Sequence, residues 1–139
     1  MKQVKRVYPA IFTPEPIGYS VFVPDLMRGD TICVSQGDTF EEACQMTFEA
    51  VGLCVEGLIE MGVEIPEASK PEDIEKTANE FVVPIVFDFG KYVQLTYSKS
   101  IKKTLTIPEW LNNLAVEKQV NFSRVLQNAL ANELGVSLK

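Results

Sequence analysis

In the opening third of the chain, apolar runs separated by turn-forming residues predict three short strands. Residues 4–12 and 19–23 are rich in Val, Ile, Phe and Tyr, and the turn-forming residues 13–18 between them predict a β-hairpin. Pro9 is expected at an edge or a bulge, because it has no N–H to donate to a ladder. Residues 31–34 predict a third strand, followed by a turn at 36–38.

A long amphipathic helix is predicted next. Thr39 and Glu42 fit a capping box, and Gly62 follows the last residue of the pattern, so the helix should run to about Met61. The positions expected to cover the sheet are Phe40, Ala43, Cys44, Thr47, Phe48, Val51, Cys54, Val55 and Leu58. The opposite face is a polar, acidic stripe of Gln45, Glu49, Gly52, Glu56 and Glu60.

The pattern then breaks and changes character. Residues 63–80 contain two prolines and many charges, which predicts a spacer with one short helical turn after Pro71. Residues 81–89 return to an apolar, strand-like run, and the segment 90–99 stays open between a turn, a helix and an extended linker. A new pattern begins near Ser100, so we predict two domains, residues 1–98 and 99–139.

The C-terminal domain is predicted to be one short strand and two helices. Residues 102–107 alternate with period two, as a strand does, and its polar face carries Lys102, Thr104 and Thr106. Pro108 opens the first helix, and Asn121 can cap a second helix that stops at Gly135. This core of about 40 residues is too small to fold alone, so we expect a homodimer in which the strand pairs with that of a second copy.

Composition removes several classes of function. The chain has 139 residues and no histidine, which excludes Ser-His-Asp and Cys-His catalysis and histidine-ligated metals. Cys33, Cys44 and Cys54 have no C-x-x-C spacing, so we interpret them as small buried apolar residues. No metal or other cofactor is predicted. No apolar run approaches the roughly 20 residues of a membrane span, and residues 1–8 lack a signal-peptide pattern, so we expect a cytoplasmic protein without a membrane partner.

Charge is divided unevenly along the chain. Residues 1–80 carry six Lys and Arg against fifteen Asp and Glu, a net charge of −9, whereas residues 81–139 carry seven against four, a net charge of +3. The natural counterparts are a basic partner for the first part and an anionic partner for the second, although both surfaces could simply be solvated.

Several motifs resemble a known family. The N-terminal part contains, in order, Tyr8-Pro9-Ala10, Gly18-Tyr19-Ser20, Val23-Pro24-Asp25-Leu26, Gln36-Gly37-Asp38-Thr39, Glu42-Ala43 and Gly62-Val63-Glu64-Ile65-Pro66. This order resembles the HicB antitoxin family, from which the chain departs by a longer loop at residues 27–30. The C-terminal order of strand, Pro108, helix, Asn121-x-Ser123 and helix resembles a ribbon-helix-helix DNA-binding domain.

The resemblance implies both a fold and a function. The implied fold is α+β: residues 1–98 form a partial ribonuclease-H-like antiparallel sheet with one long helix, and residues 99–139 form a ribbon-helix-helix dimerisation domain. HicB proteins neutralise HicA, a small basic toxin that cleaves mRNA, and repress their own operon. The implied protein is thus a non-enzymatic antitoxin of a type II toxin-antitoxin system, with a HicA-like toxin and double-stranded operator DNA as partners.

The candidate DNA contacts lie in the C-terminal domain. Two paired strands would present Lys102, Thr104 and Thr106 of each copy to base edges in the major groove. The N-terminus of the second helix offers phosphate contacts from Asn121, Ser123 and Arg124. Plain helix capping is the alternative role for Asn121 and Ser123.

The candidate toxin contacts are acidic. Asp25 and Asp30 lie in the loop after the second predicted strand, and Glu49 and Glu56 lie on the helix stripe, where they could pair with basic side chains of a toxin. The alternative is that the glutamates only form a solvent-exposed face.

Two other functions fit parts of the sequence. Clustered carboxylates at Asp25, Asp30, Asp38 and Glu41 could form a two-metal nuclease site, but the helix start already explains Asp38 and Glu41, so we predict no enzymatic activity. A transcriptional repressor that responds to a small ligand, with no toxin partner, is compatible with the same features.

Overall fold

The computed structural model describes residues 3–138 and divides the chain into two compact units, Met1–Lys99 and Ser100–Lys139. The first unit is a mixed α+β arrangement. Its strands and helices are β1 (Lys5–Pro14), β2 (Tyr19–Phe22), β3 (Val34–Gly37), α1 (Phe40–Glu60), β4 (Phe81–Asp88) and α2 (Phe89–Thr96), with 3-10 turns at Pro24–Leu26 and Pro71–Asp73. The second unit contains α3 (Glu109–Glu117) and α4 (Phe122–Leu134).

The four strands form one antiparallel sheet in the order β3-β2-β1-β4. The predicted hairpin of β1 and β2 is confirmed, and so is the strand at 81–88. The third strand was placed too early, because β3 spans Val34–Gly37 and includes part of the predicted turn. A Cβ at position 37 would overlap the backbone of Ala43 at the start of α1. Gly37 can end the strand here because it has no Cβ.

Pro9 lies in an inner strand, contrary to the edge position expected for it. β2 pairs with β1 only from Ile11 to Pro14, so that Pro9 lies beyond the end of β2. On its other side Pro9 faces Pro84 of β4. In an antiparallel ladder, pairs of facing residues that exchange N–H···O bonds alternate with pairs whose N–H groups point away from the partner strand. Two facing prolines, which have no N–H group, fit a pair of the second kind.

Helix α1 covers one face of the sheet, as predicted. Its first turn is capped by the Thr39 hydroxyl, which accepts a hydrogen bond from the Glu42 N–H at 3.1 Å. The buried residues of α1 are Ala43, Thr47, Val51, Gly52, Val55 and Leu58. At one end of this core the rings of Phe12, Tyr19, Phe40 and Phe81 cluster, with centroids 5.5 to 6.4 Å apart. Aromatic residues of the strands thus pack beneath the helix.

The stretch predicted as a spacer is attached to the sheet by side-chain hydrogen bonds. The Tyr8 hydroxyl donates to the Pro66 carbonyl at 2.6 Å, and burial raises the pKa of Tyr8 to about 12. Arg6 pairs with Glu67 at 3.2 Å. The short helical turn predicted after Pro71 is present as the 3-10 turn Pro71–Asp73. This stretch is therefore part of the folded unit.

The segment that the sequence left open contains α2. Asp88 caps it by accepting a hydrogen bond from the Lys91 N–H at 3.3 Å. The ring of Tyr92 packs against Gly52 of α1, so close that a Cβ on Gly52 would overlap it. Gly52, which we had placed on the polar stripe, is consequently buried, and α2 covers part of that stripe.

In the second unit both helix starts follow the prediction. Helix α3 begins directly after Pro108, and the side-chain oxygen of Asn121 caps α4 by accepting from the Arg124 N–H at 3.1 Å. Gly135 ends α4 with φ +66°, and the Val136 N–H donates to the Ala131 carbonyl at 2.9 Å. Residues 101–108 belong to neither a helix nor a sheet of this single chain.

Candidate functional site

The polar face predicted for residues 102–107 is accessible in the second unit. Lys102, Thr104 and Thr106 are all exposed. Lys102 and Thr104 line a groove of about 670 Å³ together with Ser123 at the start of α4. Two of the three residues predicted to contact bases therefore lie beside Ser123, one of the residues predicted to contact phosphate.

The alternate residues of the same segment face a different groove. Leu105 and Ile107 line a space of about 480 Å³ with Phe122, Val125 and Leu126 of the α4 region. Lys102 and Thr104 thus line one groove and Leu105 and Ile107 another, while Lys103 lines both.

The phosphate candidates lie at the N-terminus of α4. Asn121 uses its side-chain oxygen to cap the helix, as the capping alternative required, and its amide N–H group is a separate donor. Ser123 and Arg124 occupy the first turn and are exposed. Backbone N–H groups of a first helical turn have no partner within the helix, so this end favours anions.

The apolar side of the second unit is largely uncovered. Among its described residues Ala131 alone is buried, at 8% exposure, whereas Trp110 is 65% exposed. Other exposed apolar residues of the unit are Leu105, Ile107, Leu111, Leu114, Val125, Leu130 and Leu134. Monomeric proteins rarely expose apolar surface on this scale.

Asp25 is a structural residue, which corrects its assignment to a toxin-facing surface. The residue is only 7% exposed, and its carboxylate accepts two hydrogen bonds from Ser69, at 2.8 Å from the backbone N–H and at 2.6 Å from the hydroxyl. The Asp25 side chain therefore joins the turn after β2 to the stretch before β4, because a buried carboxylate needs such donors.

The other three acidic candidates, Asp30, Glu49 and Glu56, differ in their exposure. Asp30 is exposed in the loop before β3, and Glu49 is exposed on α1. The Glu56 carboxylate is half-buried and accepts hydrogen bonds from the Tyr97 hydroxyl at 2.8 and 3.0 Å. This hydrogen bond raises the pKa of Tyr97, because the carboxylate stabilises the protonated hydroxyl.

A groove between α1 and α2 adds residues that the sequence analysis missed. It has a volume of about 470 Å³, and its apolar lining comes from Phe48, Leu53, Tyr92 and Leu95, with Glu49 at the same site. Leu53 and Leu95 are 65% and 63% exposed. The signal that could have revealed this groove is the helical spacing of Phe89, Tyr92 and Val93 after a capping Asp88.

Residues 8–121 match the family described as HicB-like antitoxin of bacterial toxin-antitoxin system. The chain belongs to the HicB-like antitoxin family. The match covers most of the first unit and about half of the second, and it ends at the residue that caps α4.

The chain is also similar to individual proteins and solved structures. An uncharacterised 14.9 kDa protein of Haemophilus phage HP1 is 31% identical over 109 residues, which cover 76% of this chain and 75% of the phage protein. The solved toxin-antitoxin complex from Streptococcus pneumoniae contains a chain that is 29% identical, with a TM-score of 0.56 over 94% of this chain and 99% of that one. The crystal structure of antitoxin HicB3 is 24% identical with a TM-score of 0.51, covers 95% of this chain and 99% of its own, and shares the fold.

Between residues 3 and 138 no helix combines the length and apolar character needed to cross a bilayer. Within the same residues no group of three or more His, Cys, Asp or Glu side chains is placed to hold a metal ion. Among these described residues, Asp25, Asp30, Asp38 and Glu41 form no such group.

Proposed function

We propose that this HicB-like protein neutralises a HicA-like, mRNA-cleaving toxin through residues 1–98 and represses its own operon through a ribbon-helix-helix domain formed by residues 99–139. The proposed protein is a non-enzymatic, cytoplasmic homodimer, and a partial ribonuclease-H-like arrangement is the corresponding proposal for the N-terminal fold. Family membership supports the antitoxin role. The observation that carries the DNA-binding proposal is the uncovered apolar side of the second unit, beside an exposed polar segment.

A second copy of the same unit would cover this apolar side. Leu105 and Ile107 would face the helices, and residues 102–107 of the two copies would pair as antiparallel strands across a twofold axis. Burial of apolar surface contributes about 25 cal/mol per Å², so exposed side chains as large as Trp110 and Leu134 give such an association a strong driving force.

Pairing would leave the polar faces of both strands outward. Lys102, Thr104 and Thr106 from each copy would enter one major groove, where Lys can donate to guanine and Thr can contact a base edge or the thymine methyl group. Since Lys and Thr do not form bidentate pairs, discrimination would be the sum of several contacts, each below the roughly 1–3 kcal/mol of a bidentate pair.

Phosphate contacts would fix the register of the dimer on DNA. The first turn of α4 offers free backbone N–H groups, the Ser123 hydroxyl and the Arg124 guanidinium. The Asn121 amide N–H group can donate to the same phosphate while its oxygen caps the helix. Capping and phosphate binding are therefore compatible at this residue.

A gel-shift assay with operator DNA tests the base contacts. The Lys102→Ala, Thr104→Ala, Thr106→Ala triple variant should lose specific operator binding while it retains toxin binding. Lys91→Ala is the control, because it removes the same charge from α2. Unchanged operator affinity of the triple variant would refute the assignment.

The toxin surface that we propose combines the groove between α1 and α2 with the acidic residues Glu49, Glu56 and Asp30. Helix α1 contains five Glu and no Lys or Arg, which suits a basic partner. Leu53 and Leu95 supply apolar surface that a toxin side chain would desolvate, while Glu49, Glu56 and Asp30 would steer the encounter. Affinity comes mainly from such a desolvated centre, and rim charges mainly raise the association rate.

Binding kinetics with the purified toxin test this surface. Leu53→Ala and Leu95→Ala should each speed dissociation, whereas Glu49→Gln should slow association and weaken its salt dependence. Val86→Ala is the control, because Val86 is an exposed apolar residue of β4 outside the groove. Wild-type kinetics in both leucine variants would place the toxin elsewhere. A protein that fails to rescue cells from the co-expressed toxin would instead favour the ligand-responsive repressor.

A further inference from the structure

Two of the three cysteines lie together in the first unit. Cys33 precedes β3 and is 1% exposed, and Cys54 lies in the middle of α1 and is half-buried. The Cys54 thiol donates to the carbonyl of Ile32, the neighbour of Cys33, at 3.5 Å. Because Cys33 follows Ile32 directly in the chain, this hydrogen bond places the Cys54 thiol beside Cys33. The sequence spacing of 21 residues gave no indication of this contact.

The contact makes the two thiols chemically unequal. The hydrogen bond from Cys33 lowers the pKa of Cys54, because it stabilises the thiolate, and the same bond together with burial raises the pKa of Cys33. Cys54 is also the more accessible of the two. Accessible thiols with a lowered pKa are the ones that react with oxidants.

We propose that Cys33 and Cys54 form an oxidation-sensitive dithiol, in which Cys54 reacts with a hydroperoxide and Cys33 closes an intramolecular disulfide. This role differs from the inert apolar role that the cysteine spacing indicated. It does not rest on the proposed function, since neither Cys33 nor Cys54 belongs to the proposed toxin contacts or DNA contacts.

The reaction has two balanced steps. The Cys54 thiolate attacks one oxygen of the hydroperoxide and the O–O bond breaks, which gives a sulfenic acid on Cys54 and, with hydrogen peroxide, one water molecule. The Cys33 sulfur then attacks the Cys54 sulfur, the S–O bond breaks, and the leaving hydroxide takes the Cys33 proton as a second water molecule. The protein loses two electrons and the peroxide gains them.

The bond would tie the loop before β3 to the middle of α1. Residues 27–32 lie outside the sheet, whereas the Cys33 carbonyl accepts a hydrogen bond from the Val23 N–H at 3.0 Å, so the Cys33 side chain would turn toward α1 while its backbone stays beside the sheet. The two sulfur atoms must close to about 2.05 Å. The cross-link would hold the loop that carries Asp30 and should raise the midpoint of thermal unfolding by several degrees.

Hydrogen peroxide treatment of the full-length protein, followed by alkylation of free thiols and peptide mapping, tests the proposal. We expect the wild-type protein to lose two hydrogen atoms, to yield a linked peptide pair containing Cys33 and Cys54, and to keep Cys44 alkylated. Cys44→Ser is the matched control and should form the same bond, since Cys44 lies about 15 Å along α1 from Cys54.

The single variants separate the two steps. Cys33→Ser should stop at a sulfenic acid on Cys54 that dimedone traps, and Cys54→Ser should form no intramolecular disulfide. A bridge that includes Cys44, a disulfide found only between two chains, or three alkylated thiols after peroxide treatment of the wild-type protein would each overturn the proposal.

Discussion

The carboxylates of Asp25 and Asp30 show how position within one short loop decides the role of a side chain. They are five residues apart and look equivalent in the sequence. Asp25 is buried against Ser69, whereas Asp30 is exposed. Only the tertiary contact with a residue 44 positions away separates a structural carboxylate from one that a partner can reach.

Substitution of these two residues should give different stabilities. Asp25→Ala removes the acceptor of both Ser69 hydrogen bonds, and bonds to a buried charged group contribute about 1.5–3 kcal/mol, so we expect a loss of about 2–3 kcal/mol. Asp30→Ala should change stability by less than about 0.5 kcal/mol. Urea unfolding of both variants measures the difference. Equal stabilities would contradict the structural role of Asp25.

Tyr8 should make the stability depend on pH in the alkaline range. Its pKa is raised to about 12 in the folded state, against 10.0 for an unperturbed tyrosine. The folded state therefore holds the proton more tightly, and the contribution of Tyr8 is complete below pH 10 and is lost as the pH rises toward 12.

A Tyr8→Phe variant checks this pH dependence. At neutral pH it should be about 1 kcal/mol less stable, because the hydrogen bond to Pro66 is lost. Above pH 10 the wild-type protein should lose about 2–3 kcal/mol that the variant does not lose. Parallel stability curves between pH 9 and pH 12, measured by urea unfolding, would show that the Tyr8 proton plays no part.

At the scale of elements, the packing of α2 on α1 depends on a glycine. Gly52 lies in the interior of α1, where glycine costs about 1 kcal/mol relative to alanine. The ring of Tyr92 occupies the space that a Cβ would need. The absence of a side chain therefore allows α2 to approach, and the groove with Leu53 and Leu95 forms as a consequence.

Two alanine substitutions in the same helix test this packing. Gly52→Ala should displace Tyr92 and α2, lower the stability by about 1–3 kcal/mol, and weaken toxin binding if the groove is the toxin surface. Gly57→Ala meets open space and should stabilise the helix by up to about 1 kcal/mol. Thermal unfolding distinguishes them, and a stabilising Gly52→Ala would contradict the packing role.

Local signals predicted the long elements well and the short ones poorly. Helix α1 was predicted within a residue at each end, because Thr39 caps it and the pattern of its 21 residues defines the buried face. The eight-residue α2 was left open because its sequence is short and Gly90 and Lys91 interrupt the apolar pattern. Strand β3 was misplaced because four residues give little periodicity, and pairing with β2 sets the register.

For the whole molecule, the proposed dimer should depend on the C-terminal residues. The first unit has its own core around Tyr8, Phe12 and Val51, whereas the described part of the second has one buried residue. We therefore expect a fragment of residues 1–98 to be folded, monomeric and able to bind toxin, while the full chain is a dimer. Light scattering that shows the fragment to be fully dimeric would place the interface in the N-terminal unit.

Operator binding should be sensitive to salt. Lys102 and Arg124 of both copies would bring about four positive charges to the DNA, and each would displace a counterion from the phosphates. The affinity for operator DNA should therefore fall about 100-fold between about 50 and 200 mM salt. Arg124→Ala should reduce the slope of log affinity against log salt by about 2. Titration of operator DNA at several salt concentrations measures both, and a flat response would exclude DNA as the anionic partner.

The sequence by itself determined the features that depend on neighbouring residues: the caps at Thr39 and Asn121, the β1–β2 hairpin, the acidic face of α1 and the family motifs. The tertiary structure alone decided which residues that are distant in the sequence contact each other. It buried Asp25 against Ser69, Gly52 against Tyr92 and Cys33 beside Cys54, because such contacts join residues 21 to 44 positions apart that no local pattern connects. Burial, and not residue type, then sets which carboxylates and thiols are available for chemistry.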